Sequence, residues 1–145
     1  MLDNQGRTDS SCFGGVLATA ARQKGIAGVV ADGVCRDLEE YRELGFAVFA
    51  RGPTVITARG RTSEVATNEP VQCCGVLVHP GDFIVADADG AVAIPQQQIE
   101  RVVRVAQAIA ERESGMLADL RAGMSITAVD KKYAYNSMLN EVKDL

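Results

Sequence analysis

Residues 14–37 read GGVLATAARQKGIAGVVADGVCRD, and this stretch decides the fold. From Gly14 to Lys24 the chain is rich in good helix formers, and Gly25 follows as the residue that accepts a left-handed helix end. Ile26 to Ala31 is a short apolar, β-branched run bounded by Gly25 and by Asp32-Gly33, which predicts a buried and parallel strand closed by a turn. A second helix is expected from about Cys35 to Leu44, with Leu38, Tyr41 and Leu44 on one face and Gly45 ending it.

Working outward, FAVFA at 46–50 reads as the next strand, and Met1-Leu2-Asp3 as the last residues of an earlier one, turning at Asn4 to Arg7. Strand, helix, strand, helix, strand is the pattern of a parallel sheet covered by helices, an α/β fold. Past Gly52-Pro53 the runs 54–58, 71–78, 83–86 and 91–94 are short and β-rich, separated by turn residues at 79–82 and 87–90. They predict a compact β unit. After Pro95, apolar residues at 99, 102, 103, 106, 109 and 110 recur at helical spacing, giving a C-terminal amphipathic helix expected to stop at Gly115. Beyond it, Leu117, Leu120, Tyr133, Tyr135, Met138 and Leu139 offer apolar contacts to the body or to a neighbouring subunit.

With 145 residues the chain suits a single domain, 1–145. A net charge of −4 with interleaved signs, no Trp and 5% aromatic residues argues against a nucleic-acid surface, which needs a basic stripe or stacking platforms. No apolar run approaches a membrane span, and the N-terminus has no secretory pattern, so a cytoplasmic protein is expected. The cysteines at 12, 35, 73 and 74 form no C-x-x-C pair and read as small buried hydrophobes.

Two features carry chemistry. The strand that precedes Asp32 delivers Arg36-Asp37 to the start of a helix, the position where ligands sit in α/β sheets. A carboxylate there can hold Mg²⁺ or Mn²⁺, and a guanidinium can grip a substrate carboxylate bidentately. The structural alternative is that Asp37 caps the helix and Arg36 is solvated. Gly14, Gly15, Val16 and Leu17 stand at a helix start, where first-turn N–H groups favour an anion and glycine permits close approach; tight packing explains the glycines equally well. His79, the single histidine, sits in a turn without a nucleophile pattern. Asp82, Asp87 and Asp89 fit turn chemistry better than a calcium loop. Arg51, Arg59 and Arg61 form a modest cluster, one member of which could line an acidic-substrate pocket.

The segments GGVLATAARQKGIAGVVADGVCRD at 14–37 and VHPGDFIVADADGAVAIP at 78–95, in that order, resemble the RraA-like family over nearly the whole chain. The resemblance implies an α/β/β fold of the swivelling-domain type, assembled as a homotrimer or dimer of trimers. It implies a divalent-metal-dependent class II pyruvate aldolase acting on 4-hydroxy-4-methyl-2-oxoglutarate and 4-carboxy-4-hydroxy-2-oxoadipate, with oxaloacetate decarboxylase activity. Asp37 would then hold the metal, Arg36 would bind the small 2-oxo acid and steady the enolate oxygen, and the backbone of Gly14, Gly15, Val16 and Leu17 would cradle a carboxylate. Glu111 and Glu113 could reach a neighbouring subunit's site, although a solvated helix face explains them as well.

Two departures from the family pattern are visible. Aldolases of this kind carry an acidic residue where this chain has Gly15, and family members usually have a further segment ahead of Leu2-Asp3. The family also contains protein-binding regulators of RNase E, so a non-catalytic regulator and an inactive remnant are the alternatives. No glycine-rich nucleotide loop supports a methyl-donor site.

Overall fold

The computed structural model describes residues 1–135; Met138 and Leu139 lie outside the described residues. The chain divides into two compact units, Met1–Pro95 and the segment from Gln96 onward.

The first unit is built on a parallel sheet in the order β1-β2-β3, with β1 at Leu2–Phe13, β2 at Gly28–Cys35 and β3 at Ala47–Pro53. The connections are α1 (Gly15–Gln23) and α2 (Leu38–Leu44). The small buried face of α1, Ala18 and Ala21, lets the helix approach a core of Phe13, Ala31, Cys35, Tyr41 and Phe46. Phe13 stands at its centre, 6.0 Å from the Tyr41 ring and 6.3 Å from the Phe46 ring. Both helices end where expected: Gly25 and Gly45 take left-handed backbone angles, φ 76° and 57°.

Three sequence expectations change here. The turn at 4–7 is a kink inside β1: Gln5 and Gly6 are left-handed, the register slips between Asp3 and Arg7, and the strand continues to Phe13. Asp32-Gly33 is likewise no turn, because β2 runs through it to Cys35 and the only slip against β3 falls between Ala31 and Val34. Pairing wins because Asp32 is satisfied in the interior: Arg51 on β3 forms an ion pair with it, and the Cys74 N–H donates to its Oδ2 at 2.8 Å. Residues 54–58 form no strand; they run beside β1, tied by the Ser11 N–H to the Ile56 carbonyl at 2.9 Å.

The 71–78 run is a hairpin of β4 (Val71–Cys73) and β5 (Val76–Val78), turning through left-handed Cys74 and Gly75. β6 (Phe83–Ala86) and β7 (Ala91–Ile94) form a second antiparallel pair. The aspartates act as turn residues, with the His79 N–H donating to Asp82 at 2.8 Å and the Asp89 N–H to Asp87 at 2.9 Å. Cys35 and Cys73 are buried as expected, Cys12 is partly buried, and Cys74 is exposed.

The second unit opens with a 3-10 turn at Gln96–Gln98 and holds α3 (Ile99–Arg121) and α4 (Ile126–Tyr133). The helix passes through Gly115 instead of ending there. That glycine is a contact site, since a Cβ on it would stand 2.8 Å from the Tyr133 hydroxyl of α4. Asp119 and Lys132 bridge the two helices at 2.6 Å. No helix among the described residues is long and apolar enough to cross a membrane.

Candidate functional site

The three parallel strands end in register, Phe13 beside Cys35 and Cys35 beside Pro53. Two further bonds extend the alignment: the Arg36 N–H donates to the Phe13 carbonyl at 3.0 Å, and the Thr54 N–H to the Cys35 carbonyl at 2.9 Å. Everything that follows the carboxyl ends of the strands therefore gathers along one edge of the sheet, where α/β folds place their ligands.

A cleft of about 310 Å³ opens there. Gly14, Val16 and Leu17 of the α1 entry, Arg36-Asp37 after β2, and Thr57 to Arg59 of the returning loop line it, over a floor of Ser11, Cys12 and Phe13. Thus the two features singled out in the sequence face one another. Of the three arginines considered, Arg59 lines the cleft, Arg51 is taken by Asp32 and Arg61 is exposed.

Asp37 organises the edge. It occupies the N-cap position of α2, yet its side chain makes no cap bond to that helix. Instead Oδ2 reaches back over the preceding connection and accepts the Gly15 N–H at 2.9 Å, closing the first turn of α1. The α1 N-cap residue, Gly14, has no side chain to do this. A Cβ on Gly14 would sit 2.9 Å from the same oxygen, so the absence of a side chain at 14 is what admits the carboxylate. To reach across, Asp37 takes a left-handed backbone, φ 64° and ψ 43°, a conformation aspartate tolerates better than most residues. The simple expectation that Asp37 caps its own helix is thereby corrected.

Arg36 Nη2 lies 3.5 Å from Asp37 Oδ2, and both side chains are about one-third exposed, 36% and 28%. The guanidinium is thus anchored at one end and open to the cleft with its remaining donors. Val16 and Leu17 are exposed at the first turn of α1, where backbone N–H groups have no intrahelical acceptor and the helix dipole favours an anion. Cys12 adds a thiol whose pKa is lowered, chiefly by the hydrogen bond from Cys35; the latter is pushed up by that same bond and by burial.

A family model described as RraA-like, Aldolase/RraA, matches residues 1–93. The chain belongs to the RraA-like family. A 4-hydroxy-4-methyl-2-oxoglutarate aldolase of Thermus thermophilus is 39% identical over 97 residues, which are 66% of this chain and 57% of that protein. The crystal structure of an uncharacterized protein from Pseudomonas syringae pv. tomato superposes with a TM-score of 0.85 at 31% identity, covering 88% of this chain and 64% of that one. Streptomyces coelicolor RraAS2, described as an unusual member of the RNase ES inhibitor RraA family, superposes at 0.64 with 36% identity, over 77% of this chain and 56% of its own. The chain spans 60% and 50% of the lengths of two curated relatives that it matches. The α/β architecture expected from the sequence is that of these RraA-fold neighbours.

Among the described residues no group of three or more His, Cys, Asp or Glu side chains converges on a metal position. A hydrated Mg²⁺ or Mn²⁺ keeps most of its waters and needs only one or two protein carboxylates. Asp37 fits such a role, because the Gly15 N–H and Arg36 both address Oδ2 and leave Oδ1 available.

Proposed function

We propose that this RraA-like protein is a divalent-metal-dependent class II pyruvate lyase. It would cleave 4-hydroxy-4-methyl-2-oxoglutarate or 4-carboxy-4-hydroxy-2-oxoadipate, and decarboxylate oxaloacetate. The observation that supports this is the convergence of Arg36, the Asp37 carboxylate and the first-turn N–H groups of α1 on one cleft.

In the 4-hydroxy acids the C4 hydroxyl gives its proton to water and becomes a carbonyl as the C3–C4 bond breaks, and in oxaloacetate the same bond releases CO2. In both, the bonding electrons move toward the C2 carbonyl, leaving a pyruvate enolate that is then protonated at C3 from water. A divalent cation held by Asp37 would supply Lewis-acid stabilisation of the developing oxyanion. Arg36 places its open N–H donors toward the same oxygen, an interaction stronger in the transition state than in the ground state. The N–H groups of Val16 and Leu17 bind the substrate carboxylate beside Gly14, while the Gly15 N–H is spent on Asp37. Arg59 adds positive charge to the opposite wall. Assembly as a homotrimer or dimer of trimers, and any part taken by Glu111 or Glu113 of a neighbouring subunit, belong to this reading.

The test is pyruvate release from oxaloacetate and from 4-hydroxy-4-methyl-2-oxoglutarate, with Mg²⁺ and then with chelator. Release that requires the metal supports the lyase. A folded sample that releases nothing from either acid overturns it. One observation favours a second reading, a protein-binding regulator: position 15 carries no carboxylate, and relatives include RNA-processing inhibitors.

A further inference from the structure

The ends of β1 and β2 hold two thiols against each other. In the register of these strands Ser11 lies beside Val34 and Phe13 beside Cys35, so Cys12 is an extra residue of β1 between two paired ones. Such a bulge turns a side chain away from the strict alternation of a strand. Cys12 accordingly packs against the same core as its neighbour Phe13, and that core includes Cys35. Its Sγ stands 3.5 Å from the Val34 carbonyl, and the Cys35 thiol donates a hydrogen bond to it. Neighbouring strands run about 4.8 Å apart, and an offset of one residue puts such positions at about 6 Å, within the Cα separation that a disulfide spans. The two sulfurs differ in access. Cys35 is fully buried, whereas Cys12 is partly buried on the floor of the cleft.

We propose that Cys12 and Cys35 are a redox-active dithiol pair, oxidised to a disulfide by a low-molecular-weight disulfide that enters the cleft. The Cys12 thiol, ionised to the thiolate, attacks one sulfur of the reagent and leaves a mixed disulfide on Cys12; the departing thiolate takes up a proton from water. Cys35 then attacks the Cys12 sulfur, and its proton leaves with the second thiol. The reagent gains two electrons and two protons, and the protein keeps a Cys12–Cys35 bond. The bond joins the strand ends from which the cleft walls depart, Phe13-Gly14 after Cys12 and Arg36-Asp37 after Cys35. Oxidation at this point acts on the cleft whatever reaction the cleft performs.

The reduced full chain is incubated with glutathione disulfide until exposed Cys74 has reacted, then quenched in acid, alkylated and mapped by peptide mass, for wild type, Cys35→Ala and Cys12→Ala. In wild type the peptides of Cys12 and Cys35 should be joined with the loss of two hydrogens, and dithiothreitol should part them. Cys35→Ala should stop at glutathione on Cys12. In Cys12→Ala, Cys35 should react at least about 10-fold more slowly than in wild type, because the thiol that meets the reagent is gone. A wild type in which Cys74 has reacted while Cys12 and Cys35 stay unjoined overturns the proposal, whether Cys12 is free or carries a stable adduct. So does a Cys12 joined to Cys73 or Cys74 instead, or a Cys35 that reacts as fast without Cys12 as with it. Where a variant does not fold, the wild-type map decides by itself.

Discussion

Asp37 carries three separable burdens: a left-handed backbone, the cap of α1 and a negative charge at the cleft. Substitutions can remove them one at a time. Alanine loses the cap bond to Gly15, worth about 1 kcal/mol for a half-buried N-cap interaction. It also forces a Cβ without a compensating side chain into the left-handed region, a further cost of about 1 kcal/mol. Asp37→Ala should therefore destabilise the protein by about 2 kcal/mol, a fall of about 4–8 °C in the thermal midpoint for a chain of this size. Glycine loses the same cap but is at ease at φ 64°, so Asp37→Gly should fall within about 0.5–1 kcal/mol of wild type. Asparagine keeps an acceptor for the Gly15 N–H and tolerates the backbone, so Asp37→Asn should cost no more than about 0.5 kcal/mol. The three variants share only the lost charge, and all three should lose pyruvate release by at least about 100-fold. Thermal or urea melts alongside the pyruvate assay measure both axes. An active Asp37→Asn refutes the metal role, and an Asp37→Ala as stable as Asp37→Asn refutes the account of cap and backbone.

Other expectations follow from the same geometry. Arg36→Lys keeps the charge but loses the planar fork, and should cut kcat/KM for a 2-oxo acid by about 10–100-fold with little change in melting. Asp32, whose carboxyl is held low chiefly by the hydrogen bond from Arg51, contributes stability that is present above the unfolded value of about 3.9 and lost as pH falls through the lower folded value. Arg51 is 44% exposed, so solvent screening tempers the pair. Urea melts should thus place Asp32→Asn below wild type at pH 7, with the gap closing below about pH 4; a gap constant down to pH 3 would contradict the assignment. Iodoacetamide should alkylate exposed Cys74 and cleft-lining Cys12 well before Cys35, as read by peptide mass, and oxaloacetate with Mg²⁺ should slow Cys12 alone.

The alternation of helices and strands to residue 53 was legible because each element carries its own signal: apolar runs of strand length, helix formers, and Gly25 and Gly45 at the helix ends. What failed locally did so for a tertiary reason. Asp32-Gly33 has turn chemistry, but a buried aspartate with two partners from distant segments keeps β2 extended. Gly115 reads as a stop until α4 brings the Tyr133 ring against it. The kink at Gln5-Gly6 was visible as a turn, whereas its absorption into a continuing strand depends on pairing with β2.

The site divides along the same line. Arg36, Asp37 and the Gly14–Leu17 entry could be singled out from the sequence because each lies where a strand gives way to a helix. What joins them could not: the bond from the Gly15 N–H to Asp37 spans a whole helix and strand, and nothing local distinguishes it from a cap on α2. The sequence did contain a signal of a negative kind. A pair of glycines opening α1 leaves its first turn with neither a cap nor a side chain over it, and those deficits must be met from elsewhere in the fold. Asp37 meets the first, and because it follows β2, the residue that closes α1 also places a carboxylate beside Arg36. Helix closure and the charge proposed to hold a cation rest on one residue, Asp37, which is why the variants that separate them are the informative ones.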